Sequence, residues 1–207
     1  MGKLMKSKLL TQIFAVMICF VLIATSVSVS AYAENEMAVE RGITIEMTAV
    51  DENGNEKETV CRPMGESGTF RLKAENTSVE QQTVSVKIKL PNNLFETDAN
   101  GKTTHCYIKD FENADFENEV KVSISGQTDI FLINENGEHY LSFSFSEGTT
   151  FQHDFLVAFT NGITEPKTVQ INKDDITVEQ EKTTQVTKSG GAITFFADFA
   201  WENVRIS

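Results

Sequence analysis

From residue 43 onward the apolar residues of this chain recur at every second position, and that period constrains its fold more than any other feature. Ile43, Ile45, Met47 and Ala49 alternate with Thr44, Glu46 and Thr48, and Phe70, Leu72 and Ala74 with Arg71 and Lys73. Val84, Val86, Ile88 and Leu90 alternate with Ser85, Lys87 and Lys89, and Leu141, Phe143 and Phe145 with Ser142 and Ser144, while Val120, Val122 and Ile124 keep the same spacing. Successive side chains of an extended backbone point to opposite faces, so each run predicts a strand with one core face and one wet face, not a helix. Residues 130–133 are apolar at every position, which predicts a central strand covered on both sides.

The punctuation between these runs is that of hairpins. Asn53-Gly54, Asn100-Gly101 and Asn136-Gly137 each separate two strand-like runs, and Asn-Gly is the pair that tolerates the positive φ of a type I′ turn. Asn161-Gly162 follows the apolar run 155–159, and Ser189-Gly190-Gly191 precedes the last one, in which Ile193, Phe195, Ala197, Phe199 and Trp201 share a face. Residues 172–192 are polar and rich in threonine and charge, a pattern that suits either edge strands or a linker. Short strands at this spacing predict an all-β chain, an antiparallel immunoglobulin-like β-sandwich following an N-terminal signal peptide.

The first 33 residues read as that signal. Lys3, Lys6 and Lys8 precede the apolar run 9–24, and Ala31-Tyr32-Ala33 puts small residues where a signal peptidase requires them, so cleavage is expected before Glu34. The expected domain is then 34–207, secreted or at the cell surface, with no membrane attachment once the signal is gone. Cleavage removes three lysines and no acid, which shifts the net charge from −12 to −15. A chain that acidic is not expected to bind nucleic acid or an anionic bilayer, since both attract lysine and arginine. Cys61 and Cys106 survive cleavage, and in an exported chain they are candidates for a disulfide, with free thiols as the alternative.

The stretch "GTFRLKAENTSVEQQTVSVKIKLPNNL" resembles the immunoglobulin-like repeats of bacterial surface proteins and adhesins, in which a strand ends at an Asn and the strand after the crossing ends in Leu-Pro. Asn76 and Leu90-Pro91 hold those places. "YLSFSFSEGTTFQHDFLVAFTNG" is similar to the paired aromatic strands of the same modules. The resemblance implies a structural or adhesive module and carries over no binding residue. Adhesins of this kind commonly end in a wall-sorting signal that "WENVRIS" does not supply, so covalent wall anchoring is not expected.

Chemistry-bearing motifs are sparse. "DFENADFENE" says nearly the same thing twice, yet Phe116 lies five positions after Phe111, a spacing that shares a face in neither strand nor helix. A loop with one ring tucked inward is expected, and Asp110, Phe111, Glu112, Asp115, Phe116 and Glu117 form a candidate partner-contact loop. Its carboxylates lack the acid spacing and central glycine of an EF-hand, so a solvated acidic loop is the simpler reading than a calcium site. His105, His139 and His153 fall in no metal-ligand spacing, and His153 is expected at the start of a core-facing row with Phe155, Val157 and Phe159. Lys73, Lys87 and Lys89 alternate away from the apolar face and read as solvent lysines. No nucleophile elbow, phosphate loop or zinc-protease motif occurs, so no catalytic residue, cofactor or metal is expected. The expected function is non-enzymatic binding of a protein or glycan at the cell surface. A carbohydrate-binding or enzyme-accessory module is the alternative, with Tyr107, Tyr140, Phe196 and Trp201 as its aromatic platform.

Overall fold

The computed structural model describes residues 42–78, 83–114, 116, 120–124, 128–159 and 165–196. The expected signal segment 1–33, Asp115, Glu117, Asn161-Gly162 and Trp201 lie outside the described residues. Within them the chain is all-β, with strands β1 (Ile43–Val50), β2 (Glu56–Lys57), β3 (Thr59–Pro63), β4 (Ser67–Asn76), β5 (Thr83–Leu90), β6 (Phe95–Thr97), β7 (Thr103–Cys106), β8 (Val120–Ile124), β9 (Thr128–Glu135), β10 (Glu138–Ser146), β11 (Thr150–Ala158), β12 (Lys167–Ile171), β13 (Ile176–Gln180), β14 (Val186–Ser189) and β15 (Gly191–Phe196). Short 3-10 turns occupy Asn92–Leu94, Lys109–Phe111 and Lys173–Asp175.

Two large sheets carry the fold. The first runs β11-β4-β1-β14 with β2 added beside β1, and the second runs β13-β5-β10-β9-β8. β12, β15 and β3 make a third, and β6 and β7 pair as a hairpin. The expected alternation holds in each principal strand: Ile43, Ile45, Met47 and Ala49 of β1 and Val84, Val86, Ile88 and Leu90 of β5 are all buried. The sheets meet through aromatic edges, with Phe151 of β11 standing perpendicular to Phe143 and Phe145 of β10 at 5.4 and 5.7 Å between ring centroids. Burying a side chain of this size contributes about 1.5–3 kcal/mol, and the core extends without a break into the third sheet through Val169, Ile171, Ile193 and Phe195.

The antiparallel expectation needs one correction. β14 runs parallel to β1, and β15 runs parallel to β3. Both exceptions come from the stretch 172–196, which forms the edge of the second sheet as β13, crosses to the edge of the first as β14, and then enters the third as β15. A strand that arrives by crossing between layers is not bound to the antiparallel direction that a hairpin imposes. Lys188 of β14 spans the layers and donates from Nζ to the Ile176 carbonyl of β13 at 2.8 Å.

The crossing itself passes through Gly190-Gly191. A Cβ at Gly190 would sit 2.0 Å from the Ile171 carbonyl oxygen, and one at Gly191 would sit 2.7 Å from the Ala49 nitrogen. Both obstacles are backbone, so neither can move aside as a side chain would.

Only one of the three Asn-Gly hairpins is of the expected kind. Asn136 and Gly137 both have positive φ, 55° and 85°, as a type I′ turn between β9 and β10 requires. At 53–54 and 100–101 only the glycine is left-handed, and both loops follow the pattern Asp-x-Asn-Gly-x. In each, the glycine N–H donates to the Asp carbonyl at 3.0 Å, and the Asp carboxylate accepts backbone N–H groups two and four residues ahead. This is a type I turn closed by a glycine bulge. The aspartate, two residues before the Asn, selects it by capping the turn. These amides hold the Asp51 and Asp98 carboxyls below their ordinary range.

Asn76 caps the end of β4, as the sequence suggests. It is fully buried, with its N–H donating to the Thr149 carbonyl at 3.0 Å and its Oδ1 accepting the Ser78 N–H at 3.2 Å. Asn76→Ala keeps the backbone bond and removes the buried side-chain acceptor of the Ser78 N–H, so urea denaturation should show a loss of about 1–3 kcal/mol with an unchanged m-value.

Candidate functional site

The outer face of the second sheet is built from the polar phase of its strands, with one anomaly. β5 contributes Ser85, Lys87 and Lys89; β10 contributes Tyr140, Ser142 and Ser144; β8 contributes Lys121. On β9 the alternation buries Ile130 and Leu132, so the outward positions fall to Phe131 and Ile133, both half-buried. The sequence led us to expect 130–133 as a central, doubly covered strand. Instead β9 is the second strand from the edge, between β10 and β8, and its outer side chains meet the polar phase of its neighbours.

Register brings the anomaly into a patch. Tyr140 stands directly beside Ile133, and Ser142 beside Phe131, so Phe131, Ile133 and Tyr140 form a contiguous apolar strip across two strands. Cross-strand neighbours of this kind interact side by side on one face. Acid–base pairs frame the strip: Lys87 with Glu135 at 2.7 Å, Lys121 with Asp129 at 2.5 Å, and Lys89 with Glu138. Glu138 also accepts the Tyr140 hydroxyl at 2.7 Å, which fixes the ring at the margin of the strip. Glu135 raises the Lys87 pKa and Glu138 raises that of Lys89, while the Glu138 carboxyl is lowered first by Lys89 and then by Tyr140.

The outer face of the first sheet differs in kind. Arg71 forks onto Asp154 with two bonds of 2.8 Å, and Glu56 bridges Arg71 and Lys73. The Arg71 guanidinium holds the Asp154 carboxyl below the usual carboxylate range. This face is a network of mutually satisfied charges. A cleft of about 550 Å³, lined by Lys57, Gln170, Lys173, Lys188 and Ser189 among others, lies where β14 passes into β15. Among the described residues no three His, Cys, Asp or Glu side chains gather as a metal site.

The residues singled out from sequence are dispersed. Of the acidic duplication, Phe111 is fully buried and stacks on Phe155 with ring centroids 6.2 Å apart, so it belongs to the core and offers nothing to a partner. Phe116 packs partly buried against the same core. Asp110 lies 3.4 Å from His153, and Glu112 pairs with Lys109 at 2.8 Å. The residues just before the duplication meet the free edge of β11, where Ile108 bridges Val157 and the Ala158 N–H donates to the Tyr107 carbonyl at 3.0 Å. His153 does share the inward row of Phe155 and Val157.

Cys61 and Cys106 are free thiols, the first exposed on β3 and the second buried on β7, so the disulfide considered from sequence is not formed here. Burial pushes the Cys106 thiol up to about 12. The aromatic platform does not assemble either. Tyr140 is on the outer face of the second sheet, Phe196 ends β15 in the third, and Tyr107 is buried with its hydroxyl on Glu96 and Lys167 over its ring.

Comparison with known proteins adds distant likenesses of fold. No family model matches the chain, and no curated protein matches it. Among solved structures it is similar to a non-cellulosomal cohesin from Archaeoglobus fulgidus, at 12% identity over 75% of this chain and 92% of that one, with a TM-score of 0.36. It is similar also to a type II cohesin module of the adaptor scaffoldin of Acetivibrio cellulolyticus, at 13% identity over 72% and 88%, TM-score 0.39. A cohesin module of a family 33 glycoside hydrolase from Clostridium perfringens matches at 9% identity over 76% and 97%, TM-score 0.36. Likeness this distant does not assign the chain to a family.

Proposed function

We propose that this chain is an exported, non-catalytic binding module that receives a protein partner on the outer face of its second sheet. The observation that carries the reading is the partly exposed strip of Phe131, Ile133 and Tyr140 framed by Lys87, Lys89, Lys121 and their acidic partners. An apolar centre with a charged rim is the anatomy of a protein interface, and a flat sheet face suits a protein better than a small ligand, which needs a concave site. The fitting partner presents apolar side chains to the strip and charges of both signs to its rim. The export pattern of residues 1–33 supports action outside the cytoplasm, and the acidic charge speaks against nucleic acid and anionic membranes.

The experiment is cross-linking followed by affinity measurement. A photoreactive residue at position 142, incubated with envelope and culture-medium fractions of producing cells, should capture a protein that the same probe at position 154 does not. Against that partner, Phe131→Ala with Tyr140→Ala should weaken binding at least tenfold while leaving the melting temperature within about 3 °C. An affinity unchanged by the double substitution would sink the reading.

A further inference from the structure

His139 occupies a place for which its sequence surroundings give little warning. It extends the inward row of Leu141, Phe143 and Phe145 by one position, is 3% exposed, and stacks on Phe95 of β6 with ring centroids 3.7 Å apart and planes 12° from parallel. Its Nε2 lies 2.9 Å from the Thr103 hydroxyl of β7 and 3.2 Å from the Asn134 side-chain nitrogen of β9. One imidazole therefore ties the β6–β7 hairpin to the turn end of β9 and β10.

The geometry also fixes which form of the ring is present. Asn134 uses its Oδ1 to accept the Gly137 N–H at 3.0 Å, so its NH2 end is the one that faces the histidine. An NH2 group donates and cannot accept, so Nε2 must carry its lone pair, and the ring is neutral with its proton on Nδ1. A proton on Nε2 would set N–H against the N–H of Asn134 and remove that donor's acceptor, leaving the Thr103 hydroxyl to turn and accept.

Among the described residues nothing charged compensates such a proton. The side chains that strand register and direct contact place beside the ring are Leu90 of β5, Asn134 of β9, Phe95 of β6 and Thr103 of β7, none of them charged. The charged groups of the same strands are engaged elsewhere: Lys89 with Glu138, Glu135 with Lys87, and Glu96 with Tyr107, whose ring His105 meets edge-on. Desolvation accordingly lowers the His139 pKa from its ordinary 6.5.

We propose that His139 is an acid-sensitive latch, which below neutral pH releases the β6–β7 hairpin and loosens the adjoining end of the β9–β10 ladder where Ile133 and Tyr140 stand. The consequence for binding rests on the interface proposed above; the latch does not. The sign follows from linkage. A histidine depressed in the closed state costs nothing while both states are neutral, above pH 6.5, and as pH falls below that value the open state takes up the proton first and closure is lost. With an open-state value near 6.5, the open population rises by up to about 30-fold between pH 8 and pH 5.

Hydrogen exchange on the free chain tests this without a partner. Expressed as protection factors to remove the intrinsic pH dependence, the amides of β6 and β7 should lose up to about 30-fold between pH 8 and pH 5, while those of β4 keep theirs. Asn134→Asp supplies a carboxylate that welcomes the imidazolium and still accepts the Gly137 N–H, so it should abolish the acid-induced loss. His139→Phe should do the same if it folds. Protection that falls uniformly over the chain, that does not fall at all, or that falls as steeply in Asn134→Asp as in the wild type, overturns the latch, whatever is found for binding to the strip.

Discussion

Gly190→Ala should cost more than about 4 kcal/mol and lower the melting temperature by roughly 10 °C, an effect out of proportion to one methyl group. The added Cβ would fall 2.0 Å from the Ile171 carbonyl oxygen and 2.9 Å from its carbonyl carbon. Relief requires β15 to move away from β12, and that ladder holds Ile193 against Val169 and Phe195 beside Lys167. Nor can the strand shift the other way, because Gly191 is already pressed against the Ala49 nitrogen of β1. The neighbouring Ser189→Ala is the control: it removes a buried hydroxyl that has no partner among the described residues and should change stability by less than about 1 kcal/mol. A Gly190→Ala protein that melts with the wild type would mean that β14 and β15 do not cross between sheets at this point.

The two phenylalanines of the duplicated acidic stretch should behave as unlike residues. Phe111→Ala should cost about 3–5 kcal/mol in chemical denaturation, the range for deleting a fully buried aromatic ring. Phe111 has no exposed surface and stacks on Phe155, so its removal opens a cavity that rigid strands on both sides cannot close. Phe116, only partly buried, should cost less than half as much when changed to alanine. Equal losses at the two positions would contradict the asymmetry, and a negligible loss at Phe111 would remove it from the core altogether.

Much of the fold was legible from local pattern. The strands at 43–50, 67–76, 83–90 and 138–146 and their inward faces follow directly from alternation, and the capping role of Asn76 follows from an Asn ending a strand before a polar crossing. The turn chemistry was half legible. Asn-Gly marked three hairpins correctly, but the aspartate two residues before the Asn, present at Asp51 and Asp98 and replaced by Asn at 134, is what separates bulged turns from the type I′ turn.

The candidate interface was not legible, for a different reason. A run apolar on both faces satisfies two environments equally, a strand buried between layers and a strand with one face kept for a partner, and residues 130–133 do not distinguish them. His139 shows the same ambiguity from the polar side. Its position two residues before Leu141 put it in phase with the core, but only Phe95 and Thr103, some forty residues earlier in the chain, make that place fit for a neutral imidazole.

The sequence alone settled that this chain builds sheet and which side of most strands turns inward, because side-chain direction in an extended backbone depends on nothing beyond the residue's own parity. Tertiary structure decided which copy of Asp-Phe-Glu-Asn gives its ring to the core, where the last strands run parallel, and which apolar row is left facing outward. Those outcomes are fixed by neighbours tens of residues away, and a local period carries no information about them.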